Sequence, residues 1–94
     1  MAVVIVNEID GGSQEMYDAV NPKVMPGGDL PEGCQLHIAG PIDGGWRVIT
    51  VWDSEEQFNE FRDTTLIPAL QEAGEGARVA PSISARPVYN LLTA

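Results

Sequence analysis

Arg47-Val48-Ile49-Thr50-Val51-Trp52-Asp53-Ser54-Glu55-Glu56-Gln57-Phe58-Asn59-Glu60-Phe61 reads as a strand that runs without a loop into an amphipathic helix. Val48, Ile49, Val51 and Trp52 are β-branched or aromatic, which suits a pleated and buried surface. Ser54 is placed to cap the helix, and Gln57 three residues on completes a capping-box pattern. Glu55 and Glu56 fall in the first turn, where the helix dipole favours negative charge. Phe58 and Phe61 share one helical face.

Working outward, Ala2 to Glu8 reads as a first strand. Asp10-Gly11-Gly12 is a turn, and Ser13 caps a helix through about Asn21. Met16, Tyr17 and Val20 form the apolar stripe of that helix. Pro22 is expected to limit it, because the residue before a proline avoids the helical region. Lys23 to Gly33 reads as a loop with at most one short helical turn. Gln35 to Ala39 is a second strand, and Asp43-Gly44 marks a hairpin into the third. Pro68 is expected to kink or divide the helix that starts at Ser54, before Ala73-Gly74. Glu75 to Pro81 reads as a loop and Ser82 to about Leu91 as a fourth strand. The order β-α-β-β-α-β is that of the ferredoxin-like split unit, an α+β fold with a four-stranded antiparallel sheet over residues 1–94.

The hairpin fixes a register. With Asp43 and Gly44 as the loop, Ile42 pairs with Gly45, Ile38 with Ile49, His37 with Thr50 and Gln35 with Trp52. Alternation then puts Gln35, His37, Ala39, Val48, Thr50 and Trp52 on one face. The other face carries Leu36, Ile38, Ile49 and Val51, with Arg47 near the hairpin. The mixed face suits a small-molecule pocket beneath the helices. The aliphatic face needs a cover, since two helices can shield only one side of such a sheet. A second copy of the same sheet is the economical answer, by isologous pairing.

Composition narrows the function classes. The net charge is −9, from 14 acidic against 5 basic residues. Phosphate binding needs clustered Lys and Arg, so a nucleic-acid or anionic-membrane partner is disfavoured. Cys34 is the one cysteine, which rules out an internal disulfide and fits a reducing compartment. No apolar run approaches the roughly 20 residues of a membrane span, and the start of the chain lacks the basic region of a signal peptide. The expectation is a soluble cytoplasmic protein. One His and one Cys in the chain cannot assemble a common zinc site. No glycine pattern matches a nucleotide-binding loop, and no nucleophile elbow is present.

The candidate chemistry rests on few residues. His37 can act as an acid or base near neutral pH, or position a substrate oxygen; the alternative is a structural strand histidine bonded to Thr50 or to the backbone. Cys34 and His37, three apart on a strand, are expected to point to opposite faces. Trp52, Thr50, Phe58 and Phe61 are candidate pocket walls. Tyr17 and Tyr89 can each donate a hydrogen bond to a ligand oxygen or serve as amphipathic core residues. Asn7 lies between Val6 and Glu8, either at the sheet margin or aimed at a ligand.

The strand ending in V-W-x-S-x-x-x-F, here Val51 to Phe58, resembles the antibiotic biosynthesis monooxygenase-like family of dimeric α+β barrels. The resemblance implies a homodimer of two ferredoxin-like sheets, with a cavity between sheet and helices. Family members include oxygenases, haem degraders and cyclases. Haem-degrading members carry a strand-one asparagine, as at Asn7. They also need a tryptophan where this chain has Phe61 and an iron-ligating histidine in the region Leu70 to Gly74, and it has neither. Cofactor-independent oxygenases of the family use Asn, Trp, Tyr, His and Arg, types found here as Asn7, Trp52, Tyr17, His37 and Arg47. Polyketide cyclases of similar fold use a His and Tyr pair, as His37 and Tyr17 would form. The resemblance therefore implies binding of a small aromatic or polyketide-like molecule. Oxidation without metal, haem or flavin is the leading reading. A cyclase or isomerase, or a ligand-binding protein without turnover, stands as the alternative.

Overall fold

The computed structural model describes residues 1–72 and 81–93, with Pro81 and Ser82 as backbone only. Strands β1 (Val3–Asp10), β2 (Cys34–Ile42), β3 (Gly45–Trp52) and β4 (Pro81–Pro87) form one antiparallel sheet in the order β2-β3-β1-β4. Helix α1 (Gln14–Val24) follows β1. Helix α2 (Glu55–Phe61) follows β3 and continues through a π turn (Arg62–Leu66) into α3 (Ile67–Glu72). This is the ferredoxin-like α+β arrangement. The expected loop over Glu75–Pro81 lies outside the described residues apart from Pro81, which begins β4. That strand ends at Pro87, short of Leu91.

The strand-to-helix segment forms as its residues dictate. The Ser54 hydroxyl accepts from the Gln57 N–H at 3.3 Å. The Gln57 side chain meets the Ser54 hydroxyl instead of the backbone N–H of a full capping box. Ser13 caps α1 in the same way, accepting from the Met16 N–H at 3.2 Å. At the hairpin only Gly44 takes a left-handed φ, of 74°. Gly45 is needed beside it, because a Cβ there would collide with the Ile9 carbonyl oxygen of the neighbouring strand.

Of the two prolines expected to interrupt helices, Pro22 departs from expectation and Pro68 does not. Pro22 lies inside α1, which runs on to Val24. It is exposed, so the carbonyl its missing N–H leaves unbonded can face water. On either side of it, Val20, Val24 and Met25 bury against Ala69 of α3, and that packing outweighs the local preference. The second helix is divided just ahead of Pro68, as expected, into α2 and α3. The π turn precedes it, with the Ile67 N–H bonding the Arg62 carbonyl five residues back, while the Thr64 hydroxyl donates to the Glu60 carbonyl at 2.7 Å. The wider turn absorbs the donor that proline lacks.

The core lies between helices and sheet. Ile5 and Trp52 are each 1% exposed and pack with Val3 and Phe58. Among the described residues no helix lies over the opposite sheet face. There Val4, Val6, Leu36, Ile38, Ile49 and Val51 form neighbouring rows across β1, β2 and β3, and Ile38 is 54% exposed.

Candidate functional site

Beneath α1 and the α2–α3 helix the sheet encloses a cavity of about 110 Å³, lined mostly by apolar side chains. Alternation along each strand decides what enters it. From β1 come Ile5, Asn7 and Ile9, and from β3 come Trp46, Val48, Thr50 and Trp52. The face of α1 supplies Tyr17, Val20, Asn21 and Val24, spaced three and four apart. Phe58 and Phe61 close the cavity from the second helix, with Leu66 and Leu70 beyond the π turn.

His37 pairs with Thr50 across the β2–β3 ladder, as the hairpin register requires, and so faces the cavity. Its Nε2 lies 2.6 Å from the Tyr17 hydroxyl. Thr50 is not its partner: the Thr50 hydroxyl oxygen instead accepts from the Trp52 indole N–H at 2.9 Å. Burial holds the His37 pKa below its ordinary 6.5, and burial, with the Asp18 charge adding, holds the Tyr17 phenol above its ordinary 10.0. Both groups are therefore neutral near pH 7 and share a single proton in their hydrogen bond. Depending on the imidazole tautomer, either the phenol or the ring N–H is the donor.

The register breaks at the start of β2. Cys34, not Gln35, opposes Trp52, and Leu36 opposes Val51, so Gln35 is bulged out. Its amide bonds the exposed Asp53 carboxylate. The bulge inverts the alternation before it, so Cys34 and His37 both line the cavity instead of facing opposite ways. Burial pushes the Cys34 thiol pKa up, against the lowering effect of the Leu36 backbone, with the Asp53 charge adding to the rise. Among the described residues, no group of three or more His, Cys, Asp or Glu is arranged to hold a metal ion.

Of the residues singled out from sequence, Asn7, Tyr17, His37, Thr50, Trp52, Phe58 and Phe61 all reach this cavity. Arg47 is exposed on the opposite face, and Tyr89 is fully exposed beyond β4. Two lining residues with polar groups, Trp46 and Asn21, stand outside the candidates named from sequence. Trp46 continues the alternation of Val48, Thr50 and Trp52, so the pattern was present and stopped one step early. Its ring centroid is 5.5 Å from that of Tyr17. Asn21 lies one turn beyond Tyr17 on α1. Among the described residues, Asn7 Oδ1, Asn21 Oδ1 and Trp46 Nε1 are buried with no hydrogen-bond partner. Each such group costs about 1–3 kcal/mol in the folded protein.

No family model and no curated protein matches the sequence. Solved structures do. A variant of SnoaB, a cofactor-independent oxygenase from Streptomyces nogalater, is 15% identical with a TM-score of 0.71, covering 99% of this chain and 98% of that one. A putative antibiotic biosynthesis monooxygenase from Deinococcus radiodurans is 13% identical with a TM-score of 0.60, covering 100% and 98%. A variant of MhuD with two manganese protoporphyrin IX bound per active site is 18% identical with a TM-score of 0.59, covering 98% and 99%. At 13–18% identity the likeness is one of fold: this chain has the ferredoxin-like α+β fold of these antibiotic biosynthesis monooxygenase-like structures.

Proposed function

We propose that the protein binds a small oxygen-bearing aromatic molecule in the cavity between sheet and helices and oxidises it with molecular oxygen. The observation that carries this reading is the Tyr17–His37 hydrogen bond, held at 2.6 Å in an otherwise apolar enclosure. A substrate phenol can donate to the Tyr17 oxygen while Tyr17 passes its own proton to neutral His37, which leaves Tyr17 as donor to the resulting phenolate. A phenolate reduces oxygen by one electron. Recombination at the ring carbon forms the new C–O bond. Loss of water across the O–O bond, with the ring hydrogen leaving, gives a quinone. One oxygen atom enters the product and the other leaves in water, so no further reductant is needed. The protein orients the ring, holds the proton and excludes water.

A metalloporphyrin, held as manganese protoporphyrin IX in one similar structure, does not suit these residues. The only histidine of the chain already gives its Nε2 to Tyr17, and the cavity is far smaller than a porphyrin. The test is oxygen uptake with a panel of phenols and hydroquinones, with ¹⁸O₂ tracing one atom into product. His37→Ala is expected to lower kcat on the order of 10²-fold, with its melting temperature little changed. Bound phenols that are never oxidised above their spontaneous rate would sink the oxygenase reading. The same proton-sharing pair also suits a cyclase or isomerase, and turnover under nitrogen distinguishes that alternative.

We further infer that two copies pair through their open sheet faces. In support, the described helices cover one side only, and the other carries contiguous Val, Leu and Ile side chains with Ile38 half exposed.

A further inference from the structure

The cavity has a size and a polar pattern, and together they describe a ligand more narrowly than the fold does. A volume of about 110 Å³ is somewhat below that of an engineered cavity of about 150 Å³ that admits benzene. One six-membered ring fills it; a row of fused rings does not. Most of the wall is apolar, so each polar atom on it matters. Trp52 has no free donor, because its N–H is bonded to Thr50. Trp46 does: its indole N–H is buried and unpartnered among the described residues. An indole N–H can only donate, so it calls for an acceptor oxygen on the ligand. Asn7 and Asn21 leave carbonyl oxygens unpartnered, which call for a ligand hydroxyl. The Tyr17–His37 pair, with the Tyr17 ring between the other two at 5.9 Å from His37 and 5.5 Å from Trp46, takes one oxygen of the ring. A second oxygen is needed to reach Trp46.

We propose that the ligand is a single-ring aromatic carrying at least two oxygen substituents, one read by Tyr17–His37 and the other by the Trp46 indole N–H, with Asn21 and Asn7 accepting from its hydroxyls. This rests on the assignment of the cavity as the substrate site. It goes further by making Trp46, at the hairpin end of β3, the residue that selects ring oxygenation, and by excluding polycyclic substrates.

The test is equilibrium binding under nitrogen, where no oxidation occurs, so a failure of turnover does not bear on it. Phenol, catechol, hydroquinone and the tricyclic anthrone dithranol are titrated by calorimetry. At least one of the two dihydroxybenzenes is expected to bind about tenfold tighter than phenol, as one additional buried hydrogen bond allows. Dithranol is expected not to bind. In Trp46→Phe that margin over phenol should shrink to about twofold or less. A wild-type measurement guards against a misfolded variant. In a ¹H–¹⁵N spectrum, the Trp46 indole N–H should move on adding the tighter dihydroxybenzene, while that of Trp52, already bonded, should move less. The proposal is overturned if dithranol binds more tightly than the single rings, if no dihydroxybenzene binds at millimolar concentration, if Trp46→Phe keeps the full margin, or if the Trp46 N–H resonance does not respond.

Discussion

Tyr17 and His37 are placed on different elements and meet only because each obeys its own periodicity. His37 faces the cavity through strand alternation, and Tyr17 does so through its place on the apolar face of α1. Their shared burial makes a pH prediction. The folded pKa of His37 lies below its ordinary 6.5 because burial disfavours the imidazolium. Below pH 6.5 the unfolded chain therefore takes up this proton more readily than the folded one, so His37 lowers stability as pH falls from 6.5 through the folded value. Above 6.5 its contribution is constant. Activity that needs neutral His37 should likewise keep its acid limb below pH 6.5. A kcat/KM profile, with His37→Ala as the control, checks this, and an acid limb above 6.5 would assign the base to another group. Removing the phenol hydroxyl, Tyr17→Phe, should shift the acid limb, because the imidazole loses its only hydrogen-bond partner among the described side chains.

At the level of elements, local chemistry is decisive at the helix starts and less so within them. Ser13 and Ser54 both accept a backbone N–H as their positions imply. Ser54→Ala should cost about 1 kcal/mol, read as a lower urea midpoint at unchanged slope. Gly45→Ala should cost more, since the added methyl meets the carbonyl of Ile9 on a paired strand and the ladder must shift. The prolines mark where local rules yield. Pro22 is tolerated because burial of Val20 and Val24 holds the helix together on either side. Pro68 is tolerated because a π turn supplies a different bonding pattern before it. That turn also sets which side chains of the continued helix reach the cavity, bringing Leu66 and Leu70 to it.

For the molecule as a whole, the proposed pairing rests on the sheet face that no described helix covers. Ile49 sits at its centre, flanked by Ile38 and Val6 on the neighbouring strands. Ile49→Asp places a charge in that apolar field and should halve the mass seen by sedimentation, or unfold the protein if no stable monomer exists. A wild-type protein that sediments as a monomer would remove the paired-sheet inference while leaving the cavity intact. Among the described residues no helix is long and apolar enough to cross a membrane. By itself the sequence determined the element order, the capped helix starts, the hairpin at Asp43-Gly44 and the face on which His37, Thr50 and Trp52 lie. All of these follow from short-range periodicity and from residues that act on their near neighbours. Only the tertiary structure decided the bulge at Gln35, the continuation of α1 through Pro22, the π turn before Pro68 and the unpartnered Trp46 and Asn21. Each depends on packing between segments distant in the chain: a bulge costs little until a neighbouring strand fixes what it displaces, and a side chain is unpartnered only once everything around it is in place.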